Sequence, residues 1–571
     1  MRLRLTDDTR TALLIGLLAA ILYAPAFWWG APHATAPNRK NSWGVDDEPP
    51  LGPLAEIHNI IQPKPDRNLG YPLMYSFMAA AAYAPYLGYL RATGQWTDIS
   101  GAYPFGFTDP VGTLKMLAYI AHGLTVLMGV GVVVFAFLAG SILWDRRTGL
   151  LAASFALLSY PMFYYTRTGN VDVPMLFFTA LVFVLYALIL KRGVTTGRAV
   201  GLGAAIGFAL ATKEPCFAFF LPMPFVLLYN HWRTRAPGQT LASRWFWKPA
   251  VLTVVAAFLA LGAGSGLFVE PGRYLAHIEY TTSRMADYTE GRAHYGRIYD
   301  TSLAGYLAVA GEFLTFTIDS MTLPGVILVV IGLGVLVTRK DYLGLAVALS
   351  AVAYVVVLLA SSRVMNLRYV LPEIFLLSFL AARAAAYGGS SPQRWVRWPL
   401  VLLAVSALGL GLLRGVDLTH AMLNDSRYAA AAWLAERTAP GDRIEFFGSN
   451  EKLPPLKAGV VSQQAVEYRG AIYKAEVGPE AVAAIKAGWA TRRPAYIIIM
   501  PDHSSTAGMS YSHTCPPAIY EALQQGTIGY RRVAFFQTPA LLPWVKRPAL
   551  DYPSVNPPIQ IFAASGARQG T

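Results

Sequence analysis

Eleven apolar stretches recur along this chain, at roughly 11–30, 116–143, 149–164, 172–190, 199–212, 215–230, 249–269, 322–338, 342–361, 370–387 and 397–414. A helix needs about 20 apolar residues to cross a bilayer, and most of these stretches approach that length. No water is available inside a bilayer to satisfy the backbone, so segments of this kind must close their hydrogen bonds within helices. Composition agrees, since 54% of the 571 residues are hydrophobic and only 14% are charged. A soluble domain carries about a quarter charged residues. The expected fold is therefore a polytopic α-helical membrane protein with about 11 transmembrane helices.

The turns between the stretches set the orientation. With the N-terminus inside, the cytoplasmic connections are WDRRTG (144–149), KRGVTTGR (191–198), HWRTRAPGQTLASRWFWK (231–248), RKD (339–341) and GGSSPQRWVRW (388–398), and every one is basic. This is the positive-inside pattern. It also accounts for the net charge of +14 without nucleic acid, because the cations are dispersed among turns and do not form one patch. The segment 11–30 reads as a signal anchor, being longer than a typical signal-peptide core, although Ala34-Thr35-Ala36 offers a small-residue cleavage pattern. Cys216 and Cys515, the two cysteines, give neither a disulfide framework nor a cysteine zinc site.

This parity divides the chain into a membrane domain, 1–414, and an extracytoplasmic domain, 415–571, with long external loops at 31–115 and 270–321. The apolar segment 70–90 would reverse the parity if it crossed, so it is expected to lie at the outer interface. Glu312 argues in the same way against a plain span at 303–318. After Arg414 the pattern alternates helix and strand: RYAAAAWLAER, RIEFFGS, AEVGPEAVAAIKAGWA, AYIIIMP, PAIYEALQQG, YRRVAFFQ and IQIFAAS. That alternation predicts a small α/β domain.

Chemistry-bearing residues gather at the outer ends of the spans. Asp46, Asp47 and Glu48 stand side by side after the first span in NSWGVDDEPPLGPLAEIHN. Adjacent carboxylates repel, which favours a use for them in proton transfer or cation binding; a solvated acidic loop is the plain alternative. Asp172, in YYTRTGNVDVPMLFF, sits at the same level, with a helix N-cap as its competing role. Four cations share that level: Arg167, Lys213 in GFALATKEPCF, and Arg363 and Arg368 in SSRVMNLRYVLPEIF. Singly each reads as an interfacial side chain snorkelling to water, but together they suit an anionic lipid head group. His277 and His294 lack metal-ligand spacing, and no Walker loop, GxSxG or HExxH motif is present.

The ordered set of DDE, YPLMYSF, WDRRTGLLAASFALLSYPMFYYTRTGNVDVPMLFF, GFALATKEPCFAFFLP, LRYVLPEIFLLSF and the tail's NDSRYAAAAWLAERTAPGD resembles the GT-C superfamily of membrane glycosyltransferases. Within it, the resemblance is to the branch of protein O-mannosyltransferases and lipid A aminoarabinose transferases. It implies a GT-C fold in a bacterial inner or cell membrane, a polyprenyl-phosphate-linked sugar donor and a hydroxyl-bearing acceptor that is a protein, lipid or glycan. By position it implies Asp47, then Glu48, as the first acidic pair, Asp172 as the second acidic position, and Lys213 and Arg368 as basic residues at membrane level. The chain departs from the family in having three consecutive acids, so Asp46 competes with Asp47, and in having YPLMYSF where a double proline is usual. Asp47 as the carboxylate base, with a cationic phosphate clamp of Lys213 and Arg368, needs no cofactor. A variant in which Asp47 and Asp172 hold a divalent cation suits the same carboxylates. The competing functional class is a lipid-linked sugar transporter or flippase, for which charges at the bilayer midplane would be expected.

Overall fold

The computed structural model describes residues 7–44, 46–64, 67–236, 238–289, 299–362, 365–448, 450–465, 478–500, 515–545 and 555–564. Among them, seven helices are long and apolar enough to cross a membrane. They begin at Pro110, Asp172, Arg244, Leu303, Tyr342, Leu367 and Arg394, and a shorter apolar helix spans Thr196–Thr212. The first helix, Asp7–Tyr23, leaves Leu13, Leu14, Leu17, Leu18 and Ile21 exposed, the face of a helix against lipid.

Local chemistry sets the helix starts at the basic turns. Asp145 accepts from Thr148 N, Thr195 from Arg198 N and Asp341 from Gly344 N, each capping the helix that follows. Asp341 also accepts from Trp144 Nε1 at 2.6 Å and from Arg383 at 3.0 Å, tying three spans together at one end. Gly203 and Gly207 lie directly on Thr253, Ala257 and Ala260, so the helices Thr196–Thr212 and Arg244–Ser265 approach more closely than side chains would allow.

Proline decides which apolar stretches break. The stretch 149–164 divides into Arg146–Leu157 and Tyr160–Tyr165 before Pro161. The stretch 215–230 becomes a 3-10 turn at Glu214–Cys216 followed by helices Phe217–Phe220 and Met223–Arg233, with prolines at 215, 222 and 224. Residues 303–318, expected as part of a loop, are instead the first half of a helix, Leu303–Thr338, bent at Thr322 (φ 68°) just before Pro324. Glu312 is tolerated there because Tyr299 donates its hydroxyl to it at 2.8 Å. The segment 70–90 forms the helix Met74–Ala92, and Pro271–Thr289 is a further helix within the expected second loop.

The helix from Arg394 runs on to Leu423 and leads into the tail domain. Its strands are β1 (Arg443–Phe447), β2 (Val461–Gln464), β3 (Tyr496–Ile499), β4 (Tyr530–Phe536) and β5 (Ile559–Ala564), in the order β2-β1-β3-β5-β4. β1 is parallel to β2 and β3, and β5 is antiparallel to β3 and β4. Helix Ser426–Arg437 packs Ala430 and Leu434 on one face, against Ile444, Phe446, Ile498 and Ile561. Helices Pro479–Arg492 and Pro517–Gln525 cover the other face with Ile485, Trp489, Ile519 and Leu523. β3 is apolar on both faces because both faces are covered, and on β1 the buried Glu445 is accommodated by Trp489 Nε1 at 2.7 Å and by Arg492. β2 escapes sequence reading because VSQQ is short and exposed on alternate positions.

Candidate active site

The three consecutive acids point to three different places. Asp46 adopts φ 54°, in the left-handed region that Asp tolerates better than most residues, and this twist separates its carboxylate from the next. Asp46 is exposed and pairs with Arg368. Asp47 turns inward: its Oδ1 accepts from Gly169 N at 2.8 Å, and its Oδ2 lies 3.1 Å from His122 Nε2. His122 is itself oriented by Phe27 O, 2.6 Å from its Nδ1. Glu48 donates its backbone N–H to Gly169 O at 2.7 Å while its carboxylate packs over Gly52, where a Cβ would collide with it. Burial, reinforced by Glu56 and Asp47, pushes the Glu48 carboxyl up to about 7. The repulsion expected of adjacent acids is thus relieved by a salt bridge, by N–H donors and by partial protonation respectively.

Gly169 belongs to the turn that also delivers Asp172. Asn170 Oδ1 accepts from Asp172 N at 2.9 Å and Val173 N at 3.1 Å, so Asn170 caps the helix Asp172–Arg192. The capping role weighed for Asp172 is thereby filled by another residue, and its carboxylate is directed elsewhere. Asp172 Oδ1 meets Lys213 Nζ at 2.5 Å, while Asp172 Oδ2 is buried with no hydrogen-bond partner. Lys213 follows the helix Thr196–Thr212 in an extended conformation, with Tyr71 5.6 Å below its ammonium. Asp47 is met by Gly169 N and His122, whereas Asp172 is met by Lys213 on one oxygen only. Among the described residues, no cluster of three or more His, Cys, Asp or Glu is placed to hold a metal.

Of the four expected cations, Lys213 and Arg368 lie in this region. Arg368 also stands 5.3 Å from the Tyr369 ring, with its Nε buried and unpaired. Arg167 is a correction to the expected set: it is fully buried and donates to Tyr23 O at 3.0 Å and Leu22 O at 2.7 Å. It satisfies carbonyls at the end of the first helix, a structural duty that leaves it no access to a head group. Arg363 and His294 lie outside the described residues.

Several partners were not legible as such. His122 lies in an apolar span, 75 residues from Asp47. Glu214 Oε1, inside the KEP string, accepts from His277 Nε2, and His277 Nδ1 lies 2.6 Å from Leu69 O. Arg273 binds Glu56 at 3.1 Å, Asn68 O at 3.2 Å and Tyr71 O at 3.0 Å. These contacts pin helix Pro271–Thr289 to the 68–71 segment beside Lys213. Glu373, within the span Leu367–Ser390, is 1% exposed.

Residues 120–261 match the family described as dolichyl-phosphate-mannose-protein mannosyltransferase. A comparison with curated protein sequences gives no match. Among solved structures, ArnT from Cupriavidus metallidurans bound to undecaprenyl phosphate aligns over 99% of this chain and 100% of its own at 13% identity and TM-score 0.42. The Archaeoglobus fulgidus oligosaccharyltransferase tethered with an acceptor peptide aligns over 86% of this chain and 69% of its own, at 12% identity and TM-score 0.42. The arabinofuranosyltransferase AftD from Mycobacteria aligns over 98% of this chain and 42% of its own, at 14% identity and TM-score 0.39. The matched family segment carries His122, Gly169, Asp172 and Lys213, and it bears out the resemblance of this chain to the GT-C superfamily of membrane glycosyltransferases.

Proposed function

We propose that this protein transfers a sugar from a polyprenyl-phosphate donor to a hydroxyl acceptor on the external face of a bacterial cell membrane. On this reading 1–414 is the catalytic membrane domain and 415–571 its external partner. The observation that carries it is the junction of the acidic turn with the 169–172 turn: Glu48 N–H to Gly169 O, and Gly169 N–H to Asp47. Two sequence-distant acidic sites are thereby fixed to one backbone position, beside a buried lysine.

On this reading the base is Glu48 and not the expected Asp47, both of whose carboxylate oxygens are engaged. Its carboxyl titrates near neutrality and is partly exposed, as a proton acceptor for a hydroxyl requires. Asp47, with both oxygens engaged, holds the turn. The acceptor oxygen forms a bond to the anomeric carbon as the carbon–oxygen bond to the lipid phosphate breaks, and the departing phosphate keeps that electron pair. An ammonium has three N–H donors, and Asp172 takes one from Lys213, leaving two to face the phosphate. Arg368 is recruited by exchanging Asp46 for the phosphate. Among the described residues, the buried Glu373 favours a transporter, since intramembrane carboxylates serve transport pathways.

Purified full-length protein should transfer sugar from a polyprenyl-phosphate donor to hydroxyl acceptors. Glu48→Gln should lower turnover by roughly two to four orders of magnitude while donor binding persists, and Asp47→Asn, which only loosens the turn, should lower it less. Donor translocation across vesicles without sugar transfer, or near-normal turnover in both variants, would overturn the reading.

A further inference from the structure

We infer that the tail domain holds the acidic turn in its working geometry through Lys452, which is a positioning residue for Asp47 and Glu48. This rests on the catalytic reading of that turn but concerns the tail domain, none of whose residues that reading uses. Lys452 ends the 3-10 turn Asn450–Lys452 and is buried. Its ammonium donates to Trp43 O and, at 3.4 Å, to Gly44 O. The same Gly44 carbonyl accepts from Asp47 N at 3.4 Å, so one oxygen joins the tail's lysine to the backbone of Asp47.

The surrounding contacts make this a built junction. Arg427 lies 3.9 Å over the Trp43 ring and Tyr428 packs 5.2 Å from it. Arg39, in the first loop, reaches into the tail to donate to Val460 O at 2.7 Å and Ser462 Oγ at 3.1 Å. Gly44 is the point of transmission: a Cβ there would stand 2.7 Å from Thr168 Cγ2 and 2.9 Å from Asp47 Oδ2. Gly44, whose carbonyl Lys452 grips, thus stands directly against the Asp47 carboxylate and the Thr168 side chain. A packed chain of this kind transmits a displacement at Lys452 to the carboxylates.

The test compares Lys452→Met and Lys452→Arg in the full-length protein by amide hydrogen exchange and by transfer kinetics. In Lys452→Met, exchange at Asp47, Glu48 and Gly169 should rise roughly tenfold. Its kcat should fall about ten- to a hundredfold with donor KM unchanged, as expected of a misplaced but intact group. Lys452→Arg should restore much of both, and Lys452→Gln replaces the Met variant if that one does not fold. Unchanged exchange and kcat in a folded variant would overturn the inference. So would a rise spread equally over β1 and β3, which would mark loss of the domain. If exchange loosens at the turn while kcat is normal, the coupling stands and the catalytic assignment of the turn is what fails.

Discussion

The site contains two aspartate–cation pairs that differ in their access to water. In Lys213–Asp172 the side chains are 10% and 1% exposed, and in Arg368–Asp46 they are 18% and 30% exposed. A buried pair is costly to break because the remaining charge has no solvent to turn to, whereas an exposed pair exchanges its partner for water or another anion at little cost. The first pair is therefore a fixed part of the architecture, linking the start of one span to the end of another. The second is a replaceable contact, suited to release Arg368 when a lipid phosphate arrives.

The largest expected effect tests the fixed pair. Lys213→Ala should lower stability by about 3–5 kcal/mol, read from denaturant unfolding in detergent, and Asp172→Asn added to it should recover part of that loss. Arg368→Ala should leave stability within about 1 kcal/mol. It should weaken donor affinity by tenfold or more, the loss of one charge-assisted contact worth roughly 1.5–3 kcal/mol. Equal losses of stability in the two variants would erase the distinction between the pairs.

The next effect is a pH dependence that belongs to Glu48. Its folded carboxyl, raised to about 7, must be ionised to accept a proton, so transfer should fall about tenfold per pH unit below 7 and level off above it. Stability carries the opposite sign. The raised carboxyl favours the protonated folded state, so its contribution is complete below about 4.5 and is lost as pH rises through about 7. Activity rising while stability falls across one window is a pattern that a general acid denaturation would not give. A flat rate between pH 5.5 and 8 would remove Glu48 from the role of base.

Sequence pattern located the helices because hydropathy reports lipid burial directly. The apolar stretches are largely helical, although 11–30 leaves its helix at Tyr23 and 215–230 is split. Among the described residues, seven helices rather than eleven are long and apolar enough to span. It misjudged 303–318 because Glu312 looks unpartnered until Tyr299 is placed beside it. Residue type and membrane level brought Asp47, Asp172, Lys213 and Arg368 to notice, but not their pairing. Nothing local indicates that Lys213 faces Asp172, 41 residues away, or that Arg368 faces Asp46 across 322. Arg167 shared the level and the charge of the others, and only the backbone around it shows that two carbonyls of the first helix consume it. His122 and Gly169 were unreadable for a related reason: a histidine in a span and a glycine in a turn carry no chemistry until a carboxylate is set against them.

The smallest expected effect belongs to Asp46, and its sign separates the two pairs most sharply. Asn accepts φ 54° as readily as Asp does, so Asp46→Asn keeps the turn and removes only the charge that neutralises Arg368. Loss of an exposed pair costs roughly 0–1 kcal/mol, and turnover should stay within about twofold of wild type. Donor affinity should improve slightly, because the phosphate no longer competes with a carboxylate for Arg368. Salt screens exposed charges within about 10 Å at 0.1 M, so the gain should shrink as ionic strength rises. Asp172→Asn offers no such gain, since Lys213 stripped of its buried partner loses the group that keeps it in place. Donor titrations of both variants at low and high salt measure this directly. A donor affinity weakened by Asp46→Asn would show that Asp46 orients Arg368 toward the phosphate, making the exposed pair as much a part of the architecture as the buried one.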